Sequence, residues 1–325
     1  MYKFNNAKKE ISFDKYNTPT PWMNYFSNGI FHTMMSQAGG GVAFYKSPQI
    51  WRLNHYRFFH LPTDRSGFYT YIKDGEKYWC PTNEPCKEKP SEWKATHGMG
   101  YSRFEAKHNG VSAVTTYFVG EYANCLIWNM KLKSDTDKKI TVFPYVELGM
   151  MEFMRELQWQ CYNKHQMSVY NMDDVLVFKY GVEMQPKPDE TPLAYFAANV
   201  PVKAFDCDRD EFVGSYRSEE NPQNVEKGYC TNSTLAGGDP CFALQLDIEL
   251  KAGEEKTVNI FLGTEMTEDD IKNIVAKCRE ADFVDKSFSG LHAHWEDYLS
   301  RFTCEIPDKD AETMINIWNP YQAER

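Results

Sequence analysis

The densest run of side chains able to hold a sugar lies between Glu152 and Asp174. It carries Arg155, Glu156, Gln158, Trp159, Gln160, Asn163, Lys164, His165 and Gln166. Amides and charges can bond neighbouring hydroxyls, and an aromatic ring can cover a pyranose face, so this mixture suits a polyol-binding loop. Trp159, Asn163, His165 and Gln166 are the residues we single out as candidate sugar contacts; the competing reading is ordinary loop surface. The loop is expected to project from its domain rather than pack inside it. A buried unpaired amide or charge costs about 1–3 kcal/mol or more.

Other constellations fail on spacing. Gly39-Gly40-Gly41 lacks the Lys-Ser/Thr of a phosphate loop and is followed by strand-like residues, so it reads as a tight turn. His292 and His294 stand at i and i+2 of a helical stretch and face different ways, which prevents joint chelation. Asp206, Asp208 and Asp210 alternate with Cys207 and Arg209, but the glycine and terminal glutamate of a calcium loop are missing. They read as a solvated turn. The nine cysteines are widely spaced and contain no CxxC pair, which excludes a zinc ribbon or thioredoxin motif. Reduced thiols in a cytoplasmic protein are the simplest account. No cofactor, metal or catalytic residue is assigned.

The elements that must position these residues are mostly strands. Up to about residue 265, short runs rich in Val, Ile, Tyr, Phe and Thr are punctuated by Gly, Pro, Asn and Asp. Phe68–Ile72 precedes Asp74-Gly75, and Ser112–Val119 follows Asn109-Gly110; both dipeptides signal hairpins. Cys125–Leu132 and Ile140–Glu147 are expected to be neighbouring antiparallel strands. Ala243–Leu250 alternates cleanly, turns at Ala252-Gly253, and is followed by Lys256–Leu262. The pattern predicts a mainly β fold built on a large antiparallel sandwich.

The composition changes near Thr267. Thr267-Glu268-Asp269-Asp270 is a helix start, with Ile271, Ile274, Val275 and Cys278 at helical spacing. A second helix is predicted over Asp282 to Arg301, broken or kinked around Gly290, with Leu291, Trp295, Tyr298, Leu299 and Phe302 in one apolar stripe. Ala311 to Gln322 carries Met314, Ile317, Trp318 and Tyr321 at helical spacing. That stripe needs a partner surface, and the economical reading is the start of a further, truncated domain. The expected division is 1–266 sandwich, 267–306 helical linker and 307–325 next domain.

Composition narrows the function. Aromatic residues form 15% of the 325 residues, which suits both pleated packing and sugar stacking. The net charge of -10 disfavours a nucleic-acid partner. No apolar run is long enough to span a bilayer, and the first residues lack a signal-peptide core.

Several segments together carry a resemblance. Thr18–Tyr25, Gln37–Lys46, Arg52–Arg57, His97–Ser102, Asn163–Ser168, Gly214–Pro222 and Ile315–Gln322 follow, in order, the pattern of family 94 glycoside phosphorylases of the cellobiose and chitobiose type. The resemblance implies a galactose mutarotase-like supersandwich, linker helices, and then an (α/α)6 catalytic barrel that holds the acidic aspartate and most phosphate ligands. It also implies a homodimer, a β-linked disaccharide substrate, inorganic phosphate as co-substrate, and a place for Trp159, Asn163, His165 and Gln166 at the substrate rim of an active site, their competing role being a dimer contact. With the barrel absent, the chain is expected to be inactive alone. Met167 follows Gln166 where the cellobiose-type pattern has an arginine, which leans toward the chitobiose type. A stand-alone carbohydrate-binding module on the same sandwich is the alternative, and a mutarotase-like epimerase is a weaker analogy from fold.

Overall fold

The computed structural model describes residues 2–55, 66–86, 88–149, 158, 162, 164–180 and 191–324. Among them, nineteen strands form three antiparallel sheets. The eleven-stranded sheet runs, edge to edge, through Tyr2–Asn5, Glu10–Phe13, Glu92–Gly98, Tyr101–His108, Val111–Val119, Cys125–Ser134, Glu255–Glu265, Leu193–Ala198, Val175–Tyr180, Met167–Met172 and Leu235–Ala236. A five-stranded sheet follows the order Ala204–Asp208, Pro240–Leu250, Lys138–Glu147, Tyr69–Asp74 and Lys77–Trp79. Met23–Ser27, Phe31–Ser36 and Gly41–Tyr45 form the third.

The hairpin signals act as their chemistry demands. Asp74 pairs with Lys77 across Gly75, whose φ is +62°, and His108 pairs with Val111 across Asn109 and Gly110, at +48° and +76°. Positive φ at both loop residues matches the right-handed twist of the flanking strands. Alternation then decides which side chains meet. Trp128 and Phe196 of the large sheet join Phe242 of the five-stranded sheet in one core, the two phenylalanine rings stacked 5.6 Å apart.

One expected pairing does not form. Cys125–Ser134 and Lys138–Glu147 lie in different sheets, partnered by Glu255–Glu265 and Pro240–Leu250 respectively. The polar connectors at 135–137 and 251–254 are arches that cross between the sheets side by side. Asp137 holds them together, accepting from Ala252 N at 2.9 Å and pairing with Lys251 at 3.0 Å. A short polar connector suits a hairpin and an arch equally, so adjacency in sequence gave the wrong neighbour.

Helices follow the last strand. Thr267 caps Glu268–Cys278, accepting from Asp270 N at 3.1 Å, and three acidic residues occupy the first turn. Phe283–Ser300 is continuous through Gly290, contrary to the expected break. It lays Leu291, Trp295 and Leu299 on the sheet, and Ile271, Val275 and Cys278 of the preceding helix join them over Tyr195, Phe261 and Ile127. Phe302 leaves this stripe; it follows the helix end and is 64% exposed.

The last segment also differs from expectation. It runs through Lys309–Thr313, a π-turned stretch Met314–Trp318, and Asn319–Glu324. Part of its apolar side packs on the sandwich. The Tyr321 ring lies 4.8 Å from Trp295, and its hydroxyl donates to Asn24 Oδ1 at 2.6 Å and accepts from Gly100 N at 3.0 Å. Asn24 Nδ2 in turn donates to the carbonyls of Gly98 and Tyr101. Trp318 meets Phe4 at 5.5 Å. Tyr321 is thus seated on the sandwich, while Met314 and Ile315 of the same segment remain exposed. Among the described residues there is no (α/α)6 barrel.

Two buried polar residues lock this frame. His97 Nε2 donates to Trp22 O at 3.0 Å, leaving Nδ1 to accept from Ser102 Oγ at 2.6 Å. Burial depresses its pKa to about 4, so the ring is neutral. Asp206 is fully buried and not part of a solvated turn. Asn224 Nδ2 and the N–H and hydroxyl groups of Thr231 and Ser233 all donate to its carboxylate. Five donors replace the water it loses.

Candidate functional site

The candidate rim forms where the chain returns to the large sheet. Lys164–Gln166 is a single 3-10 turn leading directly into Met167–Met172. Met167 is 3% exposed and belongs to the core, so Gln166 is the last rim residue before the sheet begins. The expected projecting loop ends here: Met167–Met172 is a paired strand, and Asp173 and Asp174 are its hairpin turn. Alternating Val169 and Met167 drive that segment inward, whereas the polar density sits wholly before it.

Gly237 and Gly238 give the turn its seat. Gly237 N donates to Met167 O at 2.8 Å and Gly238 N to Lys164 O at 3.0 Å. Both glycines have positive φ, +87° and +138°, which bends the strand Leu235–Ala236 away under the turn. His165 lies above Gly237 and is exposed; Gln166 is half-buried.

Charged groups extend the rim along both sheets. Lys164 Nζ pairs with Asp239 at 2.6 Å. The Asp239 carbonyl accepts from Arg209 N at 3.0 Å, and Arg209 Nε meets Glu147 Oε2 at 3.1 Å. Burial works against the Arg209 charge, but Glu147 and its neighbours more than offset this, and the guanidinium stays ionised. Leu148 N reaches Pro240 O, and Glu147 O accepts from His55 N at 3.1 Å. The chain on either side of segment 150–163 thus meets one polar edge of six side chains: Glu147, Lys164, His165, Gln166, Arg209 and Asp239. This set offers imidazole, amide, guanidinium and carboxylate groups, which suits hydroxyl recognition. Trp159 and Asn163 lie outside the described residues.

Arg209, Glu147 and Asp239 were not found from sequence. Arg209 sits in the aspartate-rich run read as solvated, and Glu147 and Asp239 lie 92 residues apart. Only strand pairing brings them together. His292 and His294 diverge as their spacing requires. His292 packs 4.6 Å from Phe288, while His294 faces Glu121 and Glu324 across a cavity of about 280 Å³ that Asn28 and His32 also line. Among the described residues no three His, Cys, Asp or Glu side chains are grouped to hold a metal.

The family model described as glycosyl hydrolase 94, supersandwich domain, matches residues 9–281. The chain belongs to that family. N,N'-diacetylchitobiose phosphorylase of Vibrio furnissii is 30% identical over 99% of this chain and 40% of its own length. Solabiose phosphorylase of Paenibacillus borealis is 25% identical over 97% of this chain and 41% of its own length. The chain therefore spans about two fifths of the curated relatives it matches. A bacterial glucoamylase solved with acarbose superposes with a TM-score of 0.51 at 9% identity, over 94% of this chain and 43% of that one. That likeness concerns the fold alone. In this glycosyl hydrolase 94 supersandwich, the polar cluster gathers at strand ends of both larger sheets, with Glu147 ending Lys138–Glu147, Arg209 following Ala204–Asp208 and Gln166 preceding Met167–Met172.

Proposed function

We propose that this chain is the non-catalytic N-terminal part of an inverting β-glycoside phosphorylase. In this reading residues 1–266 are the sandwich, 267–306 the helical linker and 307–325 the entry to the catalytic barrel. The observation that carries it is the family match over 9–281, together with alignment of nearly the whole chain to a chitobiose phosphorylase. The chemistry asks little of this part. Phosphate is already a charged nucleophile, so one acid that protonates the leaving sugar suffices, where an inverting hydrolase needs a second carboxylate to activate water. The chain's task is then to shape the acceptor side of the site and to join two cytoplasmic subunits, with His165 and Gln166 at the rim beside Lys164 and Arg209.

The test has two arms. The isolated chain should release no sugar 1-phosphate from chitobiose or cellobiose with inorganic phosphate. In a phosphorylase carrying this chain, His165→Ala with Gln166→Ala should raise the acceptor KM in the synthetic direction with kcat largely kept, the signature of lost uniform binding. Phosphate affinity should hold. Unchanged acceptor kinetics in an intact dimer would remove the rim role.

A second reading gains support from Tyr321. Its docking on Asn24 and Gly100 anchors the final helical segment to the sandwich, and a sandwich anchored in this way could serve as a carbohydrate-binding module. Titration calorimetry of the isolated chain with chitobiose separates the two readings: saturable binding supports the module, and none supports the phosphorylase part.

A further inference from the structure

Far from the rim in sequence, two thiols meet in a satellite core. Cys80 and Cys86 are fully buried, and their Sγ atoms lie 3.0 Å apart. A disulfide bond is ~2.05 Å long, so an approach of roughly 1 Å separates contact from bond. The intervening residues are Pro81-Thr82-Asn83-Glu84-Pro85. Asn83, at a φ of +73°, reverses the chain and donates from its N–H to Cys80 O at 2.9 Å. Thr82 Oγ1 closes on Glu84 O at 2.6 Å.

The loop is also anchored from outside. Trp93 Nε1 donates to Pro81 O at 3.1 Å, and Lys89 binds both Asn83 O and the Glu84 carboxylate. Thr82 abuts Gly39, where an added Cβ would lie 2.5 Å from Thr82 Cγ2. The two sulfurs are therefore brought together by the fold of the whole loop. A bond between them would tighten a conformation already held on three sides.

We propose that Cys80 and Cys86 form a redox-modification site, closed into an intraloop disulfide by a small-molecule disulfide of the glutathione class and reopened by thiol reductants. One cysteine thiolate attacks the small disulfide, forming a mixed disulfide and expelling one small thiolate. The second cysteine thiolate then attacks the protein sulfur of that mixed bond and expels the other. Two protein thiols and one small disulfide become one protein disulfide and two small thiols. Two electrons pass to the small molecule, and its thiols take up both protons. Burial pushes the Cys80 thiol up, which keeps its thiolate scarce and makes the reaction slow, timed by opening of the loop.

The purified chain is equilibrated across a series of oxidised-to-reduced glutathione ratios, acid-quenched, alkylated and digested with trypsin. Both cysteines fall in one tryptic peptide, Tyr78 to Lys87. At the oxidised end this peptide should lose both alkyl groups and appear two hydrogens lighter than its unalkylated dithiol form. Dithiothreitol should restore alkylation. Cys80→Ala and Cys86→Ala should each abolish the lighter peptide and leave the other thiol alkylated or glutathionylated. The oxidised wild-type chain should also melt a few degrees higher than the reduced one. A peptide alkylated twice at every ratio overturns the proposal. So does oxidation of other cysteines that leaves this pair reduced, or a lower melting temperature on closing the loop.

Discussion

On the helix-covered face of the large sheet, Ile271, Val275, Leu291, Trp295 and Leu299 meet Ile127, Tyr195 and Phe261 with almost no polar contact. At strand ends shared by the large and the five-stranded sheets, Lys164, Asp239, Arg209 and Glu147 form a chain of ion pairs and backbone bonds. The first region is held by removal of apolar area from water, about 1.5–3 kcal/mol for each large side chain. The second is held by partner geometry, and its exposed pair, Lys164 with Asp239, contributes little. The apolar face fixes the sheet, and the polar cluster contributes far less to its stability.

The sharpest way to break this contrast is at Trp295, which is 2% exposed. Trp295→Ala should cost about 3–5 kcal/mol in urea unfolding, because the helix cannot collapse into the space left between Tyr321 and the sheet. A loss below about 1 kcal/mol would mean that the helix face is not a core.

A second test uses acid. His97 is neutral when folded, with its pKa at about 4 against 6.5 for the ordinary ring. The unfolded chain takes up that proton first as pH falls. Its contribution is complete above pH 6.5 and is lost as pH drops toward 4, and the separation of about 2.5 pH units at ~1.36 kcal/mol each amounts to about 3 kcal/mol. The wild-type minus His97→Gln difference in stability should fall across that window. A flat difference would place the proton on the folded ring.

The smallest effect belongs to the rim. Lys164 and Asp239 side chains are 44% and 35% exposed, so Lys164→Ala should change unfolding stability by less than about 1 kcal/mol. A larger loss would make the rim part of the frame rather than a surface carried by it.

Much of the frame could be read before any coordinates. Asp74-Gly75 and Asn109-Gly110 marked true hairpins because few residues other than Gly and Asn accept their backbone angles. Thr267 marked the helix Glu268–Cys278 because its hydroxyl can cap and its neighbours are acidic. Periodicity shows which face of a strand is buried but not which strand lies beside it, hence the misplaced pairing of Cys125–Leu132 with Ile140–Glu147. Asp206 looked solvated because its five donors come from residues 224 to 233. Of the rim, His165 and Gln166 were visible as a polar cluster, whereas Arg209, Glu147 and Asp239 become one site only after the two sheets close.

The seat for Tyr321 carries a consequence for the order of assembly. Asn24, Gly98 and Gly100 are made early, and the hydroxyl they receive is 221 residues beyond Gly100. At ribosomal rates of about 5–20 residues per second, the seat waits roughly 11–44 seconds for its occupant. During that interval the Gly98 and Tyr101 carbonyls can be held by Asn24 alone. Closure over so long a chain segment also carries one of the largest entropy costs in the fold. Seating of Tyr321 therefore requires that the strands carrying Asn24 and Gly98 already be in place, and its hydroxyl contacts report on a completed sandwich edge.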